Sequence, residues 1–229
     1  ADVIQEAGFT VQVAGYSDNA AAAFQPLKVT QPQRGYKALV NDFATMKARW
    51  LSRARPPRVV LLGHSHGSTW LHHLVRNNRD VAFSLQIDLD SSCASWVLDH
   101  GAGLREAQAD LPGQFPAIGA CDVIEVGTPP RRARGKDIVW PNVAQNLEVQ
   151  SKRLPARTSD SGGFWVNYTF EIAPNTRVDG SGTGIDRFIS TREDHSAIAY
   201  PNSDAMKWVL RHTRDLARVW KAEDVQRGG

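Results

Sequence analysis

The sequence has few of the features that would mark many protein classes at once. Only two cysteines occur in 229 residues, Cys93 and Cys121. That is too few for a disulfide scaffold or a cysteine-rich zinc module. They suffice for one bridge or for two free thiols, and the redox compartment stays open. No apolar run approaches the roughly 20 residues that span a bilayer; Val59-Val60-Leu61-Leu62 is typical, so no transmembrane helix is expected. No G-x-G-x-x-G follows a strand pattern and no Walker motif is present, so no nucleotide cofactor is implied. The net charge is only +3, with basic residues scattered. The single cluster, Arg131-Arg132-Ala133-Arg134-Gly135-Lys136, lacks the density and interleaved aromatics of a nucleic-acid surface. It reads as a solvated loop, and no nucleic-acid partner is expected.

What is present suits one globular domain. The hydrophobic fraction is 41% and the charged fraction 22%, near globular averages. There is no repeat, linker or shift in composition, so residues 1–229 read as a single domain. The chain starts at Ala1 without methionine, which fits a processed chain or a fragment.

Strand and helix patterns alternate through the first half. Ala1–Ala7 resembles a helix end closed by Gly8. Phe9–Ala14 alternates like a strand. Tyr36–Arg53 carries apolar residues at helical spacing and stops at Pro56-Pro57. Arg58–Gly63 is nearly all apolar, as in a strand buried on both faces. Ser65–Asn77 reads as a helix and Val81–Asp88 as a strand. This order implies an α/β fold with a mostly parallel central sheet flanked by helices. Residues 95–120 are polar and glycine-rich, and residues 95–135 form a candidate lid or cap excursion. Ala144–Lys152 and Phe164–Ile172 read as later strands, residues 173–186 as a loop. Ser203–Trp220 reads as a helix with Ser203 as its N-cap.

The informative stretch is Gly63-His64-Ser65-His66-Gly67, a G-x-S-x-G between a buried strand and a helix. A serine on so tight a turn takes strained backbone angles and needs small neighbours two residues away. The turn lifts Oγ above the sheet. It also leaves the His66 N–H free at a helix N-terminus to donate to an oxyanion.

In that setting the elbow resembles the α/β-hydrolase superfamily, in the Gly-His-Ser-x-Gly form of its lipases and esterases. The resemblance covers roughly residues 9–220 and implies a serine hydrolase acting on carboxylic esters, with small-molecule or lipid ester substrates and no cofactor. It implies a Ser, Asp, His order that Ser65, Asp88 and His195 supply. Ile87-Asp88 best matches the aliphatic-Asp sequence that some members carry after the elbow. Asp90 is the next candidate, then Asp122 and Asp179. His195, in Asp194-His195-Ser196-Ala197-Ile198, precedes the final helix as the base should. His212 reads as a surface residue, and His100 lies outside the expected region. Trp140-Pro141-Asn142-Val143 with Asn146 resembles a segment before a late strand and carries no catalytic role.

The family's second oxyanion donor has two candidate origins. Either Phe9–Tyr16 corresponds to the fourth strand, and the first strands with their oxyanion loop are lacking, or Phe9–Ala14 is the third strand and Gly15-Tyr16-Ser17 the loop, with the Tyr16 N–H as donor. Two other function classes compete. A non-catalytic binding protein of this fold would fit a missing donor. A metal protein would use His64, His66, His72 and His73, but His64 and His66 flank the turn and no Asp, Glu or Cys nearby completes a familiar set, so no metal is expected. The loop Gly180-Ser181-Gly182-Thr183-Gly184 reads as a flexible part of the substrate rim.

Overall fold

The computed structural model describes residues 1–24, 30–109, 115–152 and 173–228. In chain order these contain α1 (Asp2–Glu6), β1 (Ala23–Phe24), β2 (Gln33–Arg34), α2 (Tyr36–Met46), β3 (Val60–His64), α3 (His66–Asn77) and β4 (Phe83–Leu89). There follow α4 (Trp96–Ala109), β5 (Val123–Val126), β6 (Arg131–Arg134), β7 (Ile138–Val139), β8 (Val143–Ser151), β9 (Thr176–Arg177), β10 (Ile185–Ser190) and α5 (Asp204–Gly228). The central sheet has the order β10-β8-β4-β3 and every pairing in it is parallel. It is a generic α/β arrangement, with helices on both faces.

The two faces of this sheet differ in chemistry. Leu85, Ile87 and Leu89 of β4 join Leu147 and Val149 of β8 against Trp208, Val209, Ala217 and Trp220 of α5. Each fully buried side chain of this size stabilises the fold by about 1.5–3 kcal/mol. The alternate positions Gln86, Asp88, Asn146, Glu148 and Gln150 are also buried, and they form a hydrogen-bonded polar layer beneath α3. Buried polar groups persist chiefly when paired, and Asp88 is the hub of this layer, accepting from His72, Gln86, Asn146 and Asn175. The alternation in β4 and β8 thus separates an apolar face from a polar one, both out of solvent.

The apolar side of α3 joins a second core. Tyr36, Val40 and Phe43 of α2, at i, i+4 and i+7, are buried; Tyr36 stacks on Trp70 and Phe43 on Phe83. The helix of α2 passes at Lys47–Leu51 into a π turn, so the predicted Tyr36–Arg53 helix is not uniform.

Several expectations need correction. Phe9–Ala14 forms no strand; its side chains are exposed or half-buried, so alternation there is not matched by a buried face. Consequently β3 is an edge of the sheet. Residues 96–109 are helical, despite Gly101 and Gly103, because Trp96 and Leu104 anchor the segment in the core. The arginine cluster is not a loop but the exposed strand β6, paired antiparallel with β5, and Lys136 beyond it is buried against Asp137. Ile185–Ser190 begins inside what reads as loop and is a sheet strand, supported by its pairing with β8. The predicted strand Phe164–Ile172 lies outside the described residues. Cys93 and Cys121 form a disulfide, tying the approach to α4 to the turn before β5. Among the described residues no helix is long and apolar enough to cross a membrane.

Candidate functional site

Parallel strands bring their carboxyl ends to one edge, and α/β ligand sites gather there. Ser65 follows β3 directly. Its backbone sits at φ 58° and ψ −130°, a conformation costly for a residue with a side chain. The turn is held by neighbours: Ser65 N–H donates to the Leu89 carbonyl at 2.9 Å, and the Ser65 carbonyl accepts from Ser68 and Ser92. Gly63 is required sterically, because a Cβ there would lie 2.6 Å from the backbone of Ser68. Gly67 is not, since a Cβ would meet nothing within 4 Å. The expectation of two obligatory small neighbours is thus half right. His66 is the first residue of α3, where backbone N–H groups have no intrahelical acceptor.

His195 reaches the serine. Its Nε2 lies 2.9 Å from Ser65 Oγ, and its Nδ1 lies 3.1 Å from Asp90 Oδ2. Asp90 also accepts from the Ser151 N–H at 2.6 Å and from the Ser151 hydroxyl. Asp90 and His195 are both almost fully buried. An imidazole held between a hydroxyl and a buried carboxylate is arranged to take a proton from the one and be stabilised as imidazolium by the other.

The carboxylate that meets His195 is therefore Asp90, not the expected Asp88. The register explains it. Gly63 pairs with Asp88 and His64 with Leu89, so the residue level with Ser65 is Asp90, one step beyond the end of β4. A positive φ of 47° at Asp90 accompanies the turn of the chain there. Asp88 is still inside the strand and faces α3. There His72 sits with Nε2 3.1 Å from Asp88 and Nδ1 2.9 Å from the Ile138 carbonyl. Burial alone would raise the Asp88 carboxyl, but His72 and the amides around it hold it below the usual range. Burial likewise works against charge on His72, and Asp88 overturns this and raises it. Asp179 caps its own turn by accepting from the Ser181 N–H. Asp122, beside Gly119, has no contact with His195 among those described.

His64 has a positioning role that its sequence context did not suggest. Its Nε2–H donates to the His195 carbonyl at 2.7 Å, and the two rings lie 4.7 Å apart. Burial, then the neighbouring His195, lowers its pKa, which favours the neutral ring. The loop carrying His195 is fixed by Glu193, whose carboxylate accepts the N–H groups of Asp204 and Ala205 at the start of α5. Ser203 Oγ accepts the Met206 N–H at 2.9 Å, the N-cap geometry expected from the sequence.

The four histidines near the elbow do not converge. His72 points into the polar layer, and His73 contacts Asn77. His66 instead meets two residues that sequence spacing did not connect to it. Its Nδ1 lies 3.1 Å from His100 Nε2 and 3.3 Å from Asp18 Oδ2, and His100 Nε2 lies 3.2 Å from Asp18 Oδ1. His100, set aside on chain position, thus stands beside the elbow, delivered by α4. His212 bonds within its own helix.

Asp18 also places the loop after residue 14 next to the start of α3. Within that loop the Tyr16 hydroxyl donates to Asp42 at 2.5 Å and the ring lies under Arg34. Burial first, then Asp42, pushes the Tyr16 pKa up to about 12, so the phenol stays protonated. The glycine loop is not on the rim. Gly184 immediately precedes β10, at the amino ends of the parallel strands, opposite to Ser65.

Compared with protein-family models, curated proteins and solved structures, the chain matches none.

Proposed function

We propose that the protein is a serine hydrolase of carboxylic esters, with Ser65 as nucleophile, His195 as general base and acid, and Asp90 orienting His195. The observation that carries this reading is the continuous contact from Ser65 Oγ through His195 to Asp90, at 2.9 and 3.1 Å. In the proposed reaction Ser65 Oγ attacks the ester carbonyl as its proton passes to His195 Nε2. Collapse of the tetrahedral intermediate releases the alcohol, which takes that proton. Water, activated by the same imidazole, then cleaves the acyl-enzyme and restores the serine.

Backbone strain supports the reading. Among the described residues the positive-φ residues other than glycine are Ser65, Asp90 and Ser95, and Ser95 lies next to Ala94, whose carbonyl contacts His66. Strain of this kind concentrates at functional sites. The His66 N–H supplies one oxyanion donor in this reading. The Tyr16 N–H reading requires a Phe9–Ala14 strand that does not form, so this proposal assigns Tyr16 no role. The likeness of the Gly-His-Ser-x-Gly turn to that of lipases and esterases supports the proposal that the protein is an α/β-hydrolase.

The test is hydrolysis of p-nitrophenyl esters from acetate to palmitate by the full chain and by Ser65→Ala. The reading expects turnover that the substitution abolishes. Equal turnover by both proteins, or none by the folded wild type, contradicts it and leaves a binding protein as the alternative.

A further inference from the structure

The side chains of Asp18, His66 and His100 are not used by the hydrolytic reading. With one ligand atom from each residue, the three lie within 4.8 Å of one another: His66 Nδ1 and His100 Nε2 are 3.1 Å apart, and each faces its own oxygen of Asp18, Oδ2 at 3.3 Å and Oδ1 at 3.2 Å. In a tetrahedral zinc site with bonds of about 2.0–2.1 Å, ligand atoms are separated by about 3.3–3.4 Å. We propose that Asp18, His66 and His100 form a binding site for a divalent transition-metal cation of the zinc class.

The surroundings fit that chemistry. His66 Nε2 faces the Ala94 carbonyl at 2.6 Å, so that nitrogen carries the proton. Nδ1 then presents its lone pair toward Asp18 and His100. A metal-bound histidine commonly donates its other N–H to a backbone carbonyl in this way. Asp18 is oriented in turn by the Trp70 indole N–H, which donates to Oδ1 at 2.9 Å. Burial works against charge on His66, but Asp18 raises its pKa overall, so without a cation a second proton on Nδ1 bridges to the carboxylate. A cation would take that proton's place, its charge matched by the same carboxylate.

The site has one open side. His66 and His100 are buried, walled by Trp70 and Trp96, whereas the Asp18 side chain is 41% exposed. Three protein ligands and one solvent-facing position suit a fourth ligand from water. The ligand set, one oxygen and two imidazole nitrogens, suits zinc, cobalt or nickel rather than calcium or magnesium.

The three ligands come from segments that the sheet does not join. Asp18 belongs to a loop outside the central sheet, His66 opens α3, and His100 sits in α4. A cation would therefore pin the Asp18 loop and α4 to the start of the elbow helix. The sequence contains no compact signature for it, because His66 and His100 are 34 residues apart and meet only through the fold.

The test uses the full chain, stripped with a chelator and titrated with Zn(II) against a chromophoric indicator, and separately with Co(II). The site predicts one equivalent per chain and the intense visible absorption of four-coordinate Co(II). Asp18→Asn and His100→Gln should each weaken Zn(II) binding by at least about tenfold. Ser65→Ala should bind as the wild type does, so the result is independent of the hydrolase reading. Should either ligand variant fail to fold, Co(II)-loaded wild type should still show two hyperfine-shifted exchangeable imidazole protons in its NMR spectrum, one from each histidine. Sub-stoichiometric binding, a six-coordinate cobalt spectrum, fewer than two shifted imidazole protons, or affinity unchanged in folded variants would overturn the proposal.

Discussion

Asp88 lies in β4 and Asp90 one residue past its end, yet they meet different chemistry. Asp90 orients His195 beside the serine, while Asp88 neutralises His72 beneath α3. Their substitutions should separate cleanly. In the proposed mechanism Asp90→Asn lowers kcat by on the order of 10⁴-fold, in a protein that folds. Asp88→Asn leaves a buried His72 without its counter-charge and should cost about 3–5 kcal/mol of stability, with kcat of the folded fraction little changed. Urea unfolding and ester turnover on both variants check this, and a reversed pattern would return the acid to Asp88. The sequence reading favours Asp88 because Ile87-Asp88 best matches the motif, although Leu89-Asp90 has the same aliphatic-Asp form. The deciding information is register: pairing of His64 with Leu89 sets Asp90 level with Ser65. Gly63 supplies a second residue-scale prediction. Gly63→Ala puts a methyl against the backbone of Ser68, so the start of α3 must move and ester turnover should be lost even where circular dichroism is retained.

At the scale of elements, the polar layer between the sheet and α3 makes stability depend on pH. His72 has both ring nitrogens against acceptors and a raised pKa. Its native form therefore binds a proton that the unfolded form releases above about pH 6.5. Where the native state holds more protons, stability falls as pH rises. The contribution is complete below pH about 6.5 and is lost as pH climbs through the native pKa. Asp88 has the opposite sign: its depressed pKa gives stability present above about pH 3.9 and lost on acidification. Denaturant unfolding from pH 4 to 9 should thus show a maximum on the acid side of neutrality. A flat profile from pH 6 to 9 would mean that His72 is neutral when folded. The elements themselves were legible where burial and period agreed: the strand before the elbow, α3, and the Ser203-capped helix. Phe9–Ala14 misled because alternation without a buried face carries no strand. β10 and α4 were missed because Ile185–Ser190 adjoins a glycine-rich turn, and α4 carries two glycines; both elements are stabilised by tertiary contacts that local pattern does not contain.

For the whole molecule, the disulfide between Cys93 and Cys121 closes a separation of 28 residues that includes α4. Loop-closure entropy assigns such a bridge about 3–4 kcal/mol, so Cys121→Ser, or reduction, should lower the midpoint of urea unfolding. An unchanged midpoint would mean that packing of Trp96 and Leu104 alone holds the segment. The parallel sheet brings Ser65, Asp90 and His195 to one edge from three distant stretches, with Ser65 and His195 separated by 130 positions. Chain order predicted two of these three residues, whereas Asp18 and His100 emerged only from the folded arrangement. The central claim is that Ser65 is an activated nucleophile. The most direct measurement is reaction of the folded chain with a fluorophosphonate, followed by peptide mass spectrometry. The account predicts one adduct per chain, on Ser65, and its loss in His195→Ala. A folded protein that stays unlabelled, or is labelled elsewhere, would contradict it.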